Sequence, residues 1–213
     1  MSTIRGLIAR CIDTAEPGRV FVPQDFALLA RRDTIDKALQ RMVTSGELRR
    51  IGRGLYDRPT INALTKRPTA PDYRMVVDAI ARRDQARLLV DGNTAANDLG
   101  LTNAVPSQVT IYSDTRRRSI QLDKLVIRFK ITAPSRLYWA GRPAMRIVQA
   151  LHWLKDMLPA ESDRIRQQLT ALLIDQTYGA AMRQDLYQGF GLLPIWMQDF
   201  LRTFPIIDPT VDT

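Results

Sequence analysis

A single change of period constrains the fold of this chain more than any other feature. In "DTIDKALQRMVTSG", Ile35, Ala38, Leu39, Met42 and Val43 recur at steps of three and four, a spacing that predicts an amphipathic helix stopped by Gly46. Asp33 stands at its start as a cap, and Asp36, three residues on, makes a capping-box variant with acid at the positive helix end. From Leu48 to Asp57 apolar positions recur at about every second residue, and Gly52-Arg53-Gly54 supplies a turn, which predicts a hairpin. The glycines permit that turn and leave Arg53 at its apex, where no core can use a guanidinium.

What precedes the helix fits the same plan. Ile4, Leu7, Ile8, Cys11, Ile12 and Ala15 form a helical stripe with Ser2 or Thr3 as cap, and the stripe makes Cys11 a small core residue. Pro17 and Gly18 stop this helix, Val20 to Val22 read as a short strand, and Pro23 opens a second helix running to about Ala30. Helix, short strand, helix, helix, hairpin is the order of a winged helix-turn-helix.

Beyond the hairpin, "RPTINALTKRPTAP" holds three prolines and few large apolar groups, so it marks a domain boundary. The expected organisation is a DNA-binding domain over residues 1–60, a linker over 61–71 and a second domain over 72–213. In the second domain Tyr73 to Ala81 has helical spacing, Leu88 to Val90 read as a strand, and "NTAANDLGL" as a short helix ending near Gly100. Val109, Ile111, and then Leu125, Ile127, Phe129 and Ile131 alternate with polar or smaller neighbours, giving a small, mostly antiparallel sheet. From about Gly141 the pattern is helical, with apolar stripes at Ile147 to Leu154, Ile165 to Leu173 and Leu193 to Phe204. The fold class is therefore α/β in the α+β sense: a winged helix-turn-helix followed by an α/β domain with C-terminal helices.

Charge narrows the function. Lys and Arg number 31 against 22 acids, a net charge of +9, and +6 of it lies in the first 70 of the 213 residues. Such a surplus points to a polyanionic partner. No apolar run is long enough to span a bilayer, and the single cysteine excludes an internal disulfide, so the expectation is a cytoplasmic protein with no membrane partner. The tools of an enzyme are missing. His152, the only histidine, stands at the edge of a stripe as a half-buried packing residue, with no second ligand to share a metal. There is no phosphate-binding lysine loop, no dinucleotide fingerprint and no nucleophile elbow, so no catalytic residue, metal or cofactor is assigned.

The arginines sort by position. Thr34, Lys37, Gln40 and Arg41, on the exposed face of the third helix, are placed to meet base edges in a major groove. Arg31 and Arg32 before the helix, and Arg49, Arg50 and Arg53 in the hairpin, are placed to hold phosphates, with Arg53 able to enter a narrow groove. Arg116, Arg117 and Arg118, on a turn entering the sheet, are a possible additional DNA contact or a solvated loop.

Four segments, "DTIDKALQRMVTSGELRRIGRGLYDRP", "GNTAANDLGLTNAVPSQVTIYSD", "YWAGRPAMRIVQALHWL" and "GFGLLPIWMQDFLR", together resemble the AbiEi-type antitoxins of bacterial type IV toxin-antitoxin systems, in the same order along the chain. The resemblance implies a winged helix-turn-helix that binds inverted repeats of double-stranded DNA in its own promoter and represses its own operon. It also implies a second domain that counteracts a nucleotidyltransferase-like toxin without forming a stable complex with it. The third helix and the hairpin would then be the DNA contacts, while no residue is assigned to neutralisation or to the C-terminal "IIDPTVDT". Two other function classes stay open: an enzyme acting on nucleic acid with a winged targeting module, and a ligand-sensing transcriptional regulator.

Overall fold

The computed structural model describes residues 3–103 and 106–204. Ser2, the "AV" of "TNAVPS" and the last residues of the C-terminal tail lie outside the described residues. The chain is a mixed α/β protein with eight α-helices and two small sheets among the described residues.

The first compact unit takes in Met1–Ala86 and Ser119–Ile127. Helix α1 (Ile4–Asp13) is capped by Thr3, whose hydroxyl accepts from Gly6 N, and it buries Ile8 and Ile12. Cys11 corrects the sequence expectation, because its side chain is exposed. The buried row runs through Ile8 and Ile12, four apart, and Cys11 lies on the flank of that row. Strand β1 (Val20–Phe21) follows. The expected second helix shrinks to one 3-10 turn at Pro23–Phe26, where the Asp25 carboxylate accepts from Val22 N at 2.9 Å. Leu28, just beyond it, is fully exposed, so nothing buried draws the turn onward.

Helix α2 (Arg32–Thr44) buries Ile35, Ala38, Leu39 and Met42. It starts two residues earlier than Asp33 implied: Arg31 takes the extended N-cap conformation with no side-chain capping bond. Asp36 is not a capping-box partner, since it accepts from Arg32 Nε at 3.0 and 2.9 Å. Strands β2 (Arg49–Gly52) and β3 (Leu55–Asp57) form the hairpin, and the sheet order is β1-β3-β2, antiparallel throughout. Leu55, Tyr56 and Asp57 of the central strand β3 are all buried, so the expected alternation fails there. One core unites Ile8, Phe21, Phe26, Leu39, Met42, Leu48 and Tyr56. Residues 60–69 close on themselves, with Ile61 bridged to Pro68 and Asn62 Oδ1 accepting from Leu64 N and Thr65 N at 2.9 Å. Helix α3 (Tyr73–Asp84) belongs to this unit, and Arg82 donates from its guanidinium to the Val20 carbonyl at 2.9 Å.

The second compact unit takes in Arg87–Arg118 and Arg128–Thr213. Its elements are β4 (Leu88–Val90), α4 (Gly92–Asp98), β5 (Gln108–Ser113), and helices α5 (Met145–Leu154), α6 (Leu158–Leu173), α7 (Gly179–Gly189) and α8 (Ile195–Leu201). Strands β6 (Ile120–Leu122) and β7 (Leu125–Ile131) complete a four-stranded sheet of order β4-β5-β7-β6, in which β4/β5 and β6/β7 are antiparallel. Ile147, Val148, Leu151, Ile165, Leu169, Met197 and Leu201 are buried, as the three helical stripes required. Among the described residues no helix is long and apolar enough to cross a membrane.

Candidate nucleic-acid interface

Helix α2 presents its polar side chains in rows, because residues four apart share a face. Arg32, Asp36 and Gln40 make one row, and it borders an open cleft of about 670 Å³ whose other bank is Arg50, Arg53 and Gly54 of the hairpin. Lys37 and Arg41 make the next row outward. They and Thr34 are exposed, and neither cation forms an ion pair among the described residues. Arg31, at the N-cap, is exposed in the same way.

The hairpin arginines divide. Arg49 stands opposite Asp57 in the β2/β3 register and donates Nε and Nη2 to its carboxylate at 3.0 and 2.5 Å. Asp57 is 4% exposed, so this pair satisfies a buried charge, and Arg49 belongs to the hairpin's construction. Arg50, opposite Tyr56, is exposed and makes one weak contact, from Nε to the Gly52 carbonyl at 3.3 Å. Arg53 is exposed at the tip, and its guanidinium makes no ion pair among the described residues.

The tip is fastened by a residue that sequence reasoning missed. The Arg83 guanidinium, near the end of α3, donates to the Arg53 carbonyl and binds Asp84 at 2.7 and 2.8 Å. The hydrogen bond to Asp84 raises the Arg83 pKa further, so the group stays charged. Gly54 has φ +66°, and a Cβ there would lie 3.5 Å from Arg83 Cδ. The cleft thus gathers Arg32, Arg50, Arg53 and Arg83 against Asp36 and Asp84, a net positive field. In the sequence Arg83 is one of two adjacent arginines in the last turn of α3, and no local motif joins it to the hairpin.

A second open cleft, of about 1050 Å³, shares Arg50 and adds Arg67 and Lys124 from distant parts of the chain. Neither was expected. Arg116, Arg117 and Arg118 lie between β5 and β6, in the other compact unit. Arg116 and Arg118 are exposed, whereas Arg117 donates Nε to the buried Ser113 hydroxyl at 3.3 Å. Among the described residues there is no cluster of His, Cys, Asp or Glu fit to hold a metal.

A family model described as a family of unknown function (DUF6088) matches residues 7–177 of the chain, which includes this whole interface. No curated protein matches the chain.

Proposed function

The chain belongs to the DUF6088 family, whose function is unknown, and we propose that this member is a DNA-binding transcriptional repressor built on an N-terminal winged helix-turn-helix. The observation that carries the proposal is the facing of the Arg32–Gln40 row of α2 and the glycine-turned Arg50–Arg53 hairpin across one net-positive cleft. The order α1, β1, 3-10 turn, α2, β2, β3 and the sheet order β1-β3-β2 support it. In this reading α2 enters the major groove, with Lys37, Gln40, Arg41 and Thr34 at base edges, and the hairpin lies over the adjoining backbone. Arg31, Arg32, Arg50 and Arg53 hold phosphates, Arg83 fixes the hairpin tip, and Arg67 and Lys124 lengthen the basic track. Arg49 is reassigned from phosphate contact to the hairpin's internal ion pair.

The wider role follows the resemblance to AbiEi-type antitoxins: a cytoplasmic antitoxin, not itself an enzyme, that binds inverted repeats in its own promoter and counteracts a nucleotidyltransferase-like toxin without a stable complex. Footprinting of the DNA upstream of its own gene tests the DNA-binding part. Two protected half-sites about one helical turn, roughly 10 base pairs, apart are expected. Uniform cleavage across the fragment at saturating protein would reject it.

A further inference from the structure

The second compact unit holds a half-open cavity of about 780 Å³ that DNA binding leaves unused. Tyr112, Tyr138 and Trp139 contribute aromatic rings to it, Leu89 an apolar wall, and Arg136 and Gln149 polar groups. Among the described residues no carboxylate lines it, and the exposed Arg136 guanidinium forms no ion pair. His152 also lines the cavity, its ring edge-on to Trp196 at a centroid distance of 6.0 Å. Desolvation by its packing, and secondarily the Lys155 charge, hold its pKa below the usual value, so at neutral pH the cavity's charge is that of Arg136.

The aromatic wall is fixed in place before any ligand arrives. Asp185, buried behind it, accepts from Arg142 Nε at 2.6 Å and from Ala144 N at 2.9 Å. The Arg142 guanidinium thereby sits 4.5 Å from the Tyr138 ring centroid and 5.7 Å from that of Trp139. The two rings meet edge to face at 5.0 Å. On α7, a Cβ at Gly189 would lie 2.3 Å from Trp139 Cη2, so only glycine lets the helix and the indole pack this closely. A buried carboxylate, an arginine and a glycine hold two rings rigidly, which lowers the ordering cost of binding a flat molecule.

We propose that this cavity binds a small aromatic anion, its ring against Tyr112, Tyr138 and Trp139 and its phosphate or carboxylate on Arg136. The volume lies within the range of small-molecule clefts, and a few polar groups among apolar walls give such a ligand its orientation. The single unpaired cation selects for negative charge.

Calorimetric titration of the full chain with adenosine 5′-monophosphate and, separately, with benzoate tests the proposal, with adenosine as the uncharged control. At least one of the two anions binds, and Arg136→Ala weakens it about tenfold or more, while Arg136→Lys retains part of the affinity. The better arm identifies the anionic group as phosphate or carboxylate. Arg136 is exposed and unpaired, so its variants keep the fold. Absence of binding by both anions, unchanged binding to Arg136→Ala, or adenosine binding as tightly as its monophosphate would overturn it.

Discussion

Arg49 and Arg53 stand four residues apart on one hairpin and do different work. Arg53 points from the tip with no acid to hold it, so Arg53→Ala should weaken binding to operator and random DNA about equally and reduce the salt slope by roughly one unit. A loss confined to the operator, measured by anisotropy over a salt series, would argue against a backbone contact. Arg49 serves Asp57, and Arg49→Ala leaves that carboxylate buried and unpaired. The expected loss is about 1–3 kcal/mol of unfolding free energy in urea titration, since Arg49 keeps 31% of its side chain in water and the pair is only partly desolvated. Stability equal to wild type would contradict this assignment. Lys37→Ala or Gln40→Ala should instead leave stability alone and lower the operator-to-random affinity ratio by the equivalent of about 1–3 kcal/mol; an unchanged ratio removes them from base recognition.

The hairpin depends on Gly54 and on the arginine of α3 that grips its tip. Gly54→Ala places a Cβ in a left-handed conformation, φ +66°, at a cost of about 1–2 kcal/mol. Its midpoint in thermal unfolding should fall, and an undisturbed midpoint would show that the tip tolerates another conformation. Helix α2 was legible in the sequence because its apolar period runs over several turns to a glycine stop, and the hairpin because Gly52 and Gly54 mark its turn, although its strands of four and three residues show no clean alternation. The 3-10 turn at Pro23–Phe26 was not, because proline signals only how a helix begins, and the exposure of Leu28 is decided by tertiary packing. Strand β6, three residues long, is too short to display a period. The Arg49–Asp57 pair was hidden for another reason: the register that sets these two residues opposite each other, and the burial of Asp57, are settled by tertiary packing. Arg83, Arg67 and Lys124 reach their clefts through long-range packing, which no local pattern encodes.

For the chain as a whole, two compact units divide the chemistry, one carrying the basic clefts and the other an aromatic cavity. The single histidine gives the second unit a pH signature. The folded state holds the His152 pKa below 6.5, so as pH falls through about 6.5 the unfolded chain binds more protons and stability drops. His152→Gln should therefore flatten the fall in melting temperature between about pH 7.5 and 5.5, and an unaltered slope would show that the imidazole is not perturbed. On the function proposed above, α2 and its hairpin form a duplex-binding surface driven by counterion release. The decisive experiment titrates a labelled fragment from upstream of the gene, and a scrambled fragment of equal length, at about 50 and 200 mM salt. Tighter binding to the upstream fragment and a steep loss of affinity for both as salt rises are expected, whereas no binding to either at the lower salt would overturn the proposed function.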